Sequence, residues 1–371
     1  MNAAIAAARL DNQCITASPR RRPEDVVARL GAVQAQDYPA ARWALALRMR
    51  EGATAADVDR ALNDGRIIRT HVLRPTWHFV VPADLGWMLE LTAPRVRQAL
   101  AFANRYYELD AALRARATAI FERALEKNEF LTRVELGRCL ARAGLEVAGV
   151  RLALLTIHAE LDAAICSGPL RGKQATYALL TARVPKPRRL PRDEALGELA
   201  KRYLQSHGPA TIRDFAWWSG LTVSDVRRSL EISRARQQVV DGLAYWTIGA
   251  MPARKKPRPG VHLLPIYDEY LVAYRDHLAV PRRAGRGGGL QPAVVAAGQV
   301  AGTWKPARTT DGVVLEITTD RALSATERRS LQQATVRYEK FLGGPDSTNT
   351  LVPRRSRLAP RPDRRTRSRS R

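Results

Sequence analysis

The stretch Ala210 to Leu230, ATIRDFAWWSGLTVSDVRRSL, constrains the fold of this chain more than any other. Ile212, Phe215 and Ala216 share one helical face, and Gly220 supplies a turn. Thr222, with Asp225 three residues on, is a capping-box-like start for a second helix carrying Val226 and Leu230. That is helix-turn-helix spacing. The next run, QQVVDGLAYWTI (Gln237 to Ile248), sets Asp241-Gly242 between two β-prone segments, a strong hairpin signal because such a turn needs positive φ at both central residues. A helix-turn-helix closed by a hairpin is a winged helix.

The same order occurs twice upstream. FLTRVELGRCLARAGL (Phe130 to Leu145) offers Thr132 and Glu135 as a capping box. VRLALLTIHAEL continues as a second helix, and AAICSGPLRGKQATYALL reads as strand, Gly/Pro turn and strand. GATAADVDRALNDG is a helix capped at Thr54, followed by RIIRTHVLRPTWHFVV (Arg66 to Val81), a hairpin turning near Arg74-Pro75. The residues barely repeat, but the pattern does. It predicts an α+β, mainly helical chain of three tandem winged helices over residues 1–110, 111–190 and 191–252. Beyond Pro252, MPARKKPRPG is a basic connector. VHLLPIYDEYLVAYRDH, VVAAGQVAGTW and GVVLEITT supply strands, and SATERRSLQQATVRYEKFL a capped helix, for a small β-containing C-terminal part over 253–343. Residues 344–371 hold nine arginines, two aspartates and almost nothing apolar, which predicts a disordered basic tail.

A net charge of +25 in 371 residues, of which the tail supplies only +7, points to an anionic partner, most economically double-stranded DNA. Only eight of the 61 basic residues are lysines, an arginine bias of the kind that a GC-rich genome also produces. Cys14, Cys139 and Cys166 are scattered without a CxxC pair, which suggests neither a disulfide framework nor a zinc site. We expect no metal and no cofactor. MNAAIAAARLDNQ lacks a basic n-region, and no segment has the run of about 18 apolar residues that a membrane span needs. The expectation is a soluble, cytoplasmic, nucleoid-associated protein, and the absence of a dimerising heptad favours a monomer.

Five spaced strings, GAVQAQDYPAARWAL, RTHVLRPTWHFVVPADLGWML, LDAAICSGP, ATIRDFAWWSGLT and LLPIYDEYLVAYRD, together resemble the winged-helix DNA-binding family that contains the AlkZ and YcaQ (AlkX) DNA glycosylases. The resemblance covers the chain up to Gly344 and implies three winged helices and a small β-containing part around a DNA-sized channel. It also implies a catalytic motif of Gln, an aliphatic residue, then Gln or Asp, matched here by Gln34-Ala35-Gln36. Two carboxamides suit a particular chemistry. Glycoside hydrolysis usually enlists carboxyl groups to protonate the leaving group and activate water. A purine alkylated at position 7, or adenine alkylated at position 3, is already cationic and leaves without an acid. What remains is to hold a water and stabilise developing charge, which amides do by position. The implied activity is monofunctional release of cationic alkylated purines from damaged DNA, including the unhooking of interstrand crosslinks.

Residues two apart share a face only in extended backbone, and Tyr38-Pro39 disfavours helix just after the motif. The competing reading makes Gln34 and Gln36 the polar end of the apolar helical run before them. His71 and His78, with Arg69 and Arg74, fall on the first hairpin and either line a DNA or lesion pocket or form a solvated wing. Arg171 and Lys173 on the second wing, and Arg227 and Arg228 on the third unit's second helix, are candidate phosphate contacts. Trp217 and Trp218 suit core packing better than base stacking. Asp268-Glu269, flanked by Tyr267 and Tyr270, suits structural hydrogen bonds better than an acid/base dyad, and the run Gly285 to Gly289 is not a phosphate loop. The alternative to an enzyme is a non-catalytic DNA-binding protein or transcriptional regulator.

Overall fold

The computed structural model describes residues 2–249, 260–275, 277, 279–281, 290–309 and 312–343. The basic connector, the glycine run and the tail expected to be disordered lie outside the described residues, apart from Gly260 at the connector's end.

Helix α1 (Asn2–Asn12) precedes α2 (Pro23–Leu30), which starts with a proline and two acidic residues in its first turn, where free N–H groups favour them. Gly31, at φ +81°, ends α2. The chain then enters strand β1 (Val33–Gln34). VQAQ is therefore not the end of a helix: a glycine stop and pairing with a distant strand override the apolar run. Asp37 accepts a hydrogen bond from the Ala40 N–H and caps α3 (Tyr38–Leu47), and the Thr54–Asp57 capping box starts α4 (Ala55–Asn63). Strands β2 (Ile68–His71) and β3 (Trp77–Val80) form the hairpin, with β1 beside β3 in the order β1-β3-β2.

Helices α5 (Pro82–Ala99), α6 (Ala101–Tyr106) and α7 (Ala111–Lys127) lead to β4 (Leu131–Thr132), α8 (Arg133–Arg142), α9 (Gly149–Leu161), β5 (Ile165–Ser167) and β6 (Thr176–Leu179). This second sheet has the order β4-β6-β5. After α10 (Leu180–Arg183) and α11 (Arg192–His207), Ala210 bridges to Trp246. Then come α12 (Ile212–Ser219), α13 (Val223–Ile232) and the hairpin of β7 (Arg236–Val240) and β8 (Leu243–Thr247), turning through Asp241 and Gly242, both at positive φ. The chain thus repeats β-α-α-β-β three times, each leading strand or bridge resting on the second strand of its own hairpin.

Strand β9 (Val261–Leu264), short helix α14 (Glu269–Val272), and strands β10 (Ala293–Ala296), β11 (Gln299–Thr309) and β12 (Gly312–Thr319) follow, then α15 (Ala325–Phe341). The four strands form an antiparallel sheet mounted on the first unit by Trp43. Its indole N–H donates to the Leu263 carbonyl at 2.7 Å and its ring packs on Tyr338 and Phe341. The first hairpin and the third unit share one core, in which Ile68, Val72 and Leu73 meet Phe215, Trp218 and Leu230. Gly220 makes this approach possible: at φ +71° it needs no side chain, and a Cβ there would lie 2.2 Å from the Leu73 carbonyl oxygen.

Candidate active site

Side chains alternate between two faces along the extended backbone of β1 and beyond it. Val33 and Ala35 are buried in the core of the first unit, so the side chains of Gln34 and Gln36 emerge on the opposite face. The middle residue is small because it packs in that core. Gln34 is only 9% exposed, whereas Gln36 is open to solvent. Pairing with β3 fixes the backbone: Gln34 lies across from His78, and the Ala35 N–H donates to the Trp77 carbonyl at 2.7 Å.

Both carboxamides are held by donors. Arg74 Nη2 donates to Gln34 Oε1 at 3.0 Å, and the Trp77 N–H donates to Gln36 Oε1 at 3.3 Å. Each donor selects the amide oxygen over the NH2, so both amides have one stable orientation. Arg69 sits below, with Nε on the Ala35 carbonyl at 3.0 Å, Nη2 on the Gln36 carbonyl at 3.3 Å, and its guanidinium 4.3 Å from the centre of the Trp77 ring.

A buried carboxylate anchors the strand from 235 residues away. Glu269 Oε1 accepts the Gln34 N–H at 2.7 Å, while Oε2 faces Trp218 Nε1 at 3.0 Å and His207 Nε2 at 3.3 Å. Burial alone would raise this carboxyl, but the His207 hydrogen bond, the charge of Arg74 and the Gln34 N–H override it and hold the pKa at about 2. Its donors occupy both oxygens, so Glu269 positions the site and has no free lone pair facing solvent. Burial lowers the Arg74 pKa, with the Glu269 charge opposing it. Burial, reinforced by Arg74, pushes His78 down to about 3 and keeps it neutral. His78 Nδ1 lies 2.9 Å from the Thr76 carbonyl, so Nδ1 carries the proton and Nε2, which has no partner among the described residues, is a bare acceptor.

The other candidates separate into two groups. Arg69, Arg74 and His78 gather at the glutamines, and Lys173 and Arg69 line a cleft of about 400 Å³ with Gln36, Tyr38 and Ser167. His71 is buried, its Nδ1 on Glu160 and its ring against Trp77. With both rings enclosed, neither His71 nor His78 belongs to a solvated wing. Arg171 pairs with Glu135 at 2.8 Å. Arg227 and Arg228 are exposed on α13, Arg228 pairing with Asp193 at 2.8 Å. Trp218 is a core residue as expected, but Trp217 is 43% exposed, its ring 5.9 Å from the Arg74 guanidinium and 5.3 Å from that of Arg275. Asp268 forms a fully buried ion pair with Arg48 at 2.8 Å, a structural role. Among the described residues, no group of three or more His, Cys, Asp or Glu could hold a metal ion, and no helix is long and apolar enough to cross a membrane. Sequence reasoning missed Trp77 and the anchoring role of Glu269, whose contacts span distances that no local pattern reports.

A family profile described as DNA glycosylase AlkZ-like matches residues 27–341. The chain belongs to the AlkZ-like DNA glycosylase family. AlkZ-like members are DNA repair glycosylases, hydrolases that act on N-glycosyl bonds, and this chain shares that activity class. Over 325 residues it is 26% identical to an interstrand DNA cross-link repair glycosylase of Streptomyces sahachiroi, covering 77% of this chain and 83% of the relative. The solved structure of the Streptomyces sahachiroi DNA glycosylase AlkZ superposes with a TM-score of 0.76 at 22% identity, covering 95% of this chain and 98% of that one. That likeness establishes the shared AlkZ-like fold.

Proposed function

We propose that Gln34 and Gln36 are the catalytic pair of a monofunctional glycosylase that releases cationic alkylated purines and unhooks interstrand crosslinks; the Streptomyces relative bears the name interstrand DNA cross-link repair glycosylase. The observation that carries this reading is the pair of carboxamides on one extended face, each oriented by a single donor. Each amide oxygen keeps a second lone pair, and together they hold a water against the anomeric carbon as the charged base departs. The carboxylates of Glu269 and Asp37 are committed elsewhere: Glu269 is enclosed by N–H donors, and Asp37 turns back to cap α3 at 2.9 Å.

In this reading the three β-α-α-β-β repeats are winged helices over residues 1–110, 111–190 and 191–252, with the C-terminal part over 253–343, acting as a monomer on the nucleoid. Arg69, Lys173, Arg171, Arg227 and Arg228 supply phosphate contacts, and binding weakens steeply with salt. Arg74, His71 and His78 act from beneath the surface by shaping the site.

The test is base release from duplex DNA carrying 7-methylguanine, read as strand cleavage after alkali. The native chain and Asp37→Asn release the base; Gln34→Ala and Gln36→Ala lose about a hundredfold or more in rate while still binding DNA. Full activity in both glutamine variants would remove the pair from catalysis.

A further inference from the structure

We propose that the cleft between the first and second repeats receives the purine of an extruded, alkylated nucleotide, with Glu160 as the group that reads it. The cleft encloses about 450 Å³ and is lined by Arg69, Trp77, Glu160, Ser167 and Tyr177, with Arg133 and Arg138 at its mouth. Glu160 is 1% exposed. Its Oε2 contacts His71 Nδ1, but Oε1 has no partner among the described residues. An unpaired carboxylate oxygen in a dry site is costly, and an N–H donor entering the cleft removes that cost.

The lining is polarised. Glu160 forms the floor, Trp77 and Tyr177 supply aromatic walls, and the mouth carries two exposed arginines, Arg133 and Arg138, that make no ion pair among the described residues. That order fits a nucleotide entering base first, its N–H groups toward Glu160 and its phosphate toward Arg133 and Arg138. Guanine alkylated at position 7 presents a ring N–H and an exocyclic amine, and adenine alkylated at position 3 presents the amine. Both carry a positive charge that a carboxylate and aromatic faces attract, whereas an undamaged purine is neutral. The cleft adjoins the glutamines through Trp77: its ring lines the cleft and its N–H holds Gln36. Extrusion costs a few kcal/mol in general and least for damaged bases, which adds to the selectivity.

This proposal rests on cationic purines being the substrate, so its test uses binding and not catalysis. Tryptophan fluorescence is titrated with 7-methylguanosine 5′-monophosphate and, separately, with guanosine 5′-monophosphate in mildly acidic buffer. The native chain binds the methylated nucleotide about tenfold or more tightly than the other. The preference disappears in Glu160→Gln and in Ala175→Phe, an exposed alanine on the cleft wall whose replacement fills the cleft without disturbing the buried pair. It persists in Gln36→Ala. Equal affinities in the native chain, no saturable binding, or a preference retained in either cleft variant overturns the proposal. Should Glu160→Gln fail to fold, Ala175→Phe decides. Base release at the native rate in both glutamine variants would remove the catalytic reading while leaving the binding result intact.

Discussion

Gln34 is held at two points, by Glu269 on its N–H and Arg74 on its side chain. Catalysis that depends on amide geometry should be sensitive to both. Glu269→Gln keeps the shape but removes the charge and sets an NH2 against one of the N–H donors. It should lower the single-turnover rate about tenfold or more, with DNA affinity nearly unchanged. An unaltered rate would make Glu269 a purely structural group. The glutamines themselves were legible because they match a family motif and stand ahead of Tyr38-Pro39. Their anchors were not, since Glu269 lies 235 residues away and the Asp268-Glu269 pair splits into two unrelated roles, one on Gln34 and the other on Arg48.

Local chemistry announced most of the elements. The cap at Thr54, the Thr132–Glu135 box and the Asp241-Gly242 turn act within four residues, and each formed as expected. Strand β1 did not announce itself, because two residues carry no periodicity and its partner β3 begins more than 40 residues later. Gly220 joins elements more tightly than its place in a turn suggests. Gly220→Ala adds a methyl group that meets the Leu73 carbonyl and strains a positive φ, in contact with the hairpin that carries Arg74. We expect a loss of about 2–4 kcal/mol in stability and a fall in base release larger than the fraction unfolded explains. Denaturant melts beside rate measurements on the same preparation check this. A variant as stable and active as the native chain would show that the hairpin and α12 move independently.

For the molecule as a whole, buried histidines set the response to acid. Burial lowers His78 to about 3, and His158 and His262 to about 4. The folded chain refuses protons that the unfolded chain accepts below about pH 6.5. Stability is therefore complete above that value and falls as the pH drops toward 4, with Glu269 adding a further loss between about 4.5 and 2. The melting temperature should drop by several degrees between about pH 8 and pH 5. A flat profile over that interval would mean that the histidines are hydrated in solution. The three-repeat layout was visible in the sequence as a recurring order of helix, turn and hairpin. The shared core between the first and third repeats was not, because apolar residues on a hairpin look the same whichever neighbour covers them.

The distance from Gln34 to Glu269 also sets a schedule. On the ribosome the glutamines emerge early, yet the carboxylate that fixes their strand follows only after another 235 residues. At ordinary rates of synthesis that is a lag of roughly 10–50 s. During it, Trp218 and the third repeat must also appear before the first hairpin can bury its outer face. A nascent or truncated chain lacking residue 269 carries the whole motif but not the carboxylate that fixes its strand, so the site is complete only once that residue has been made.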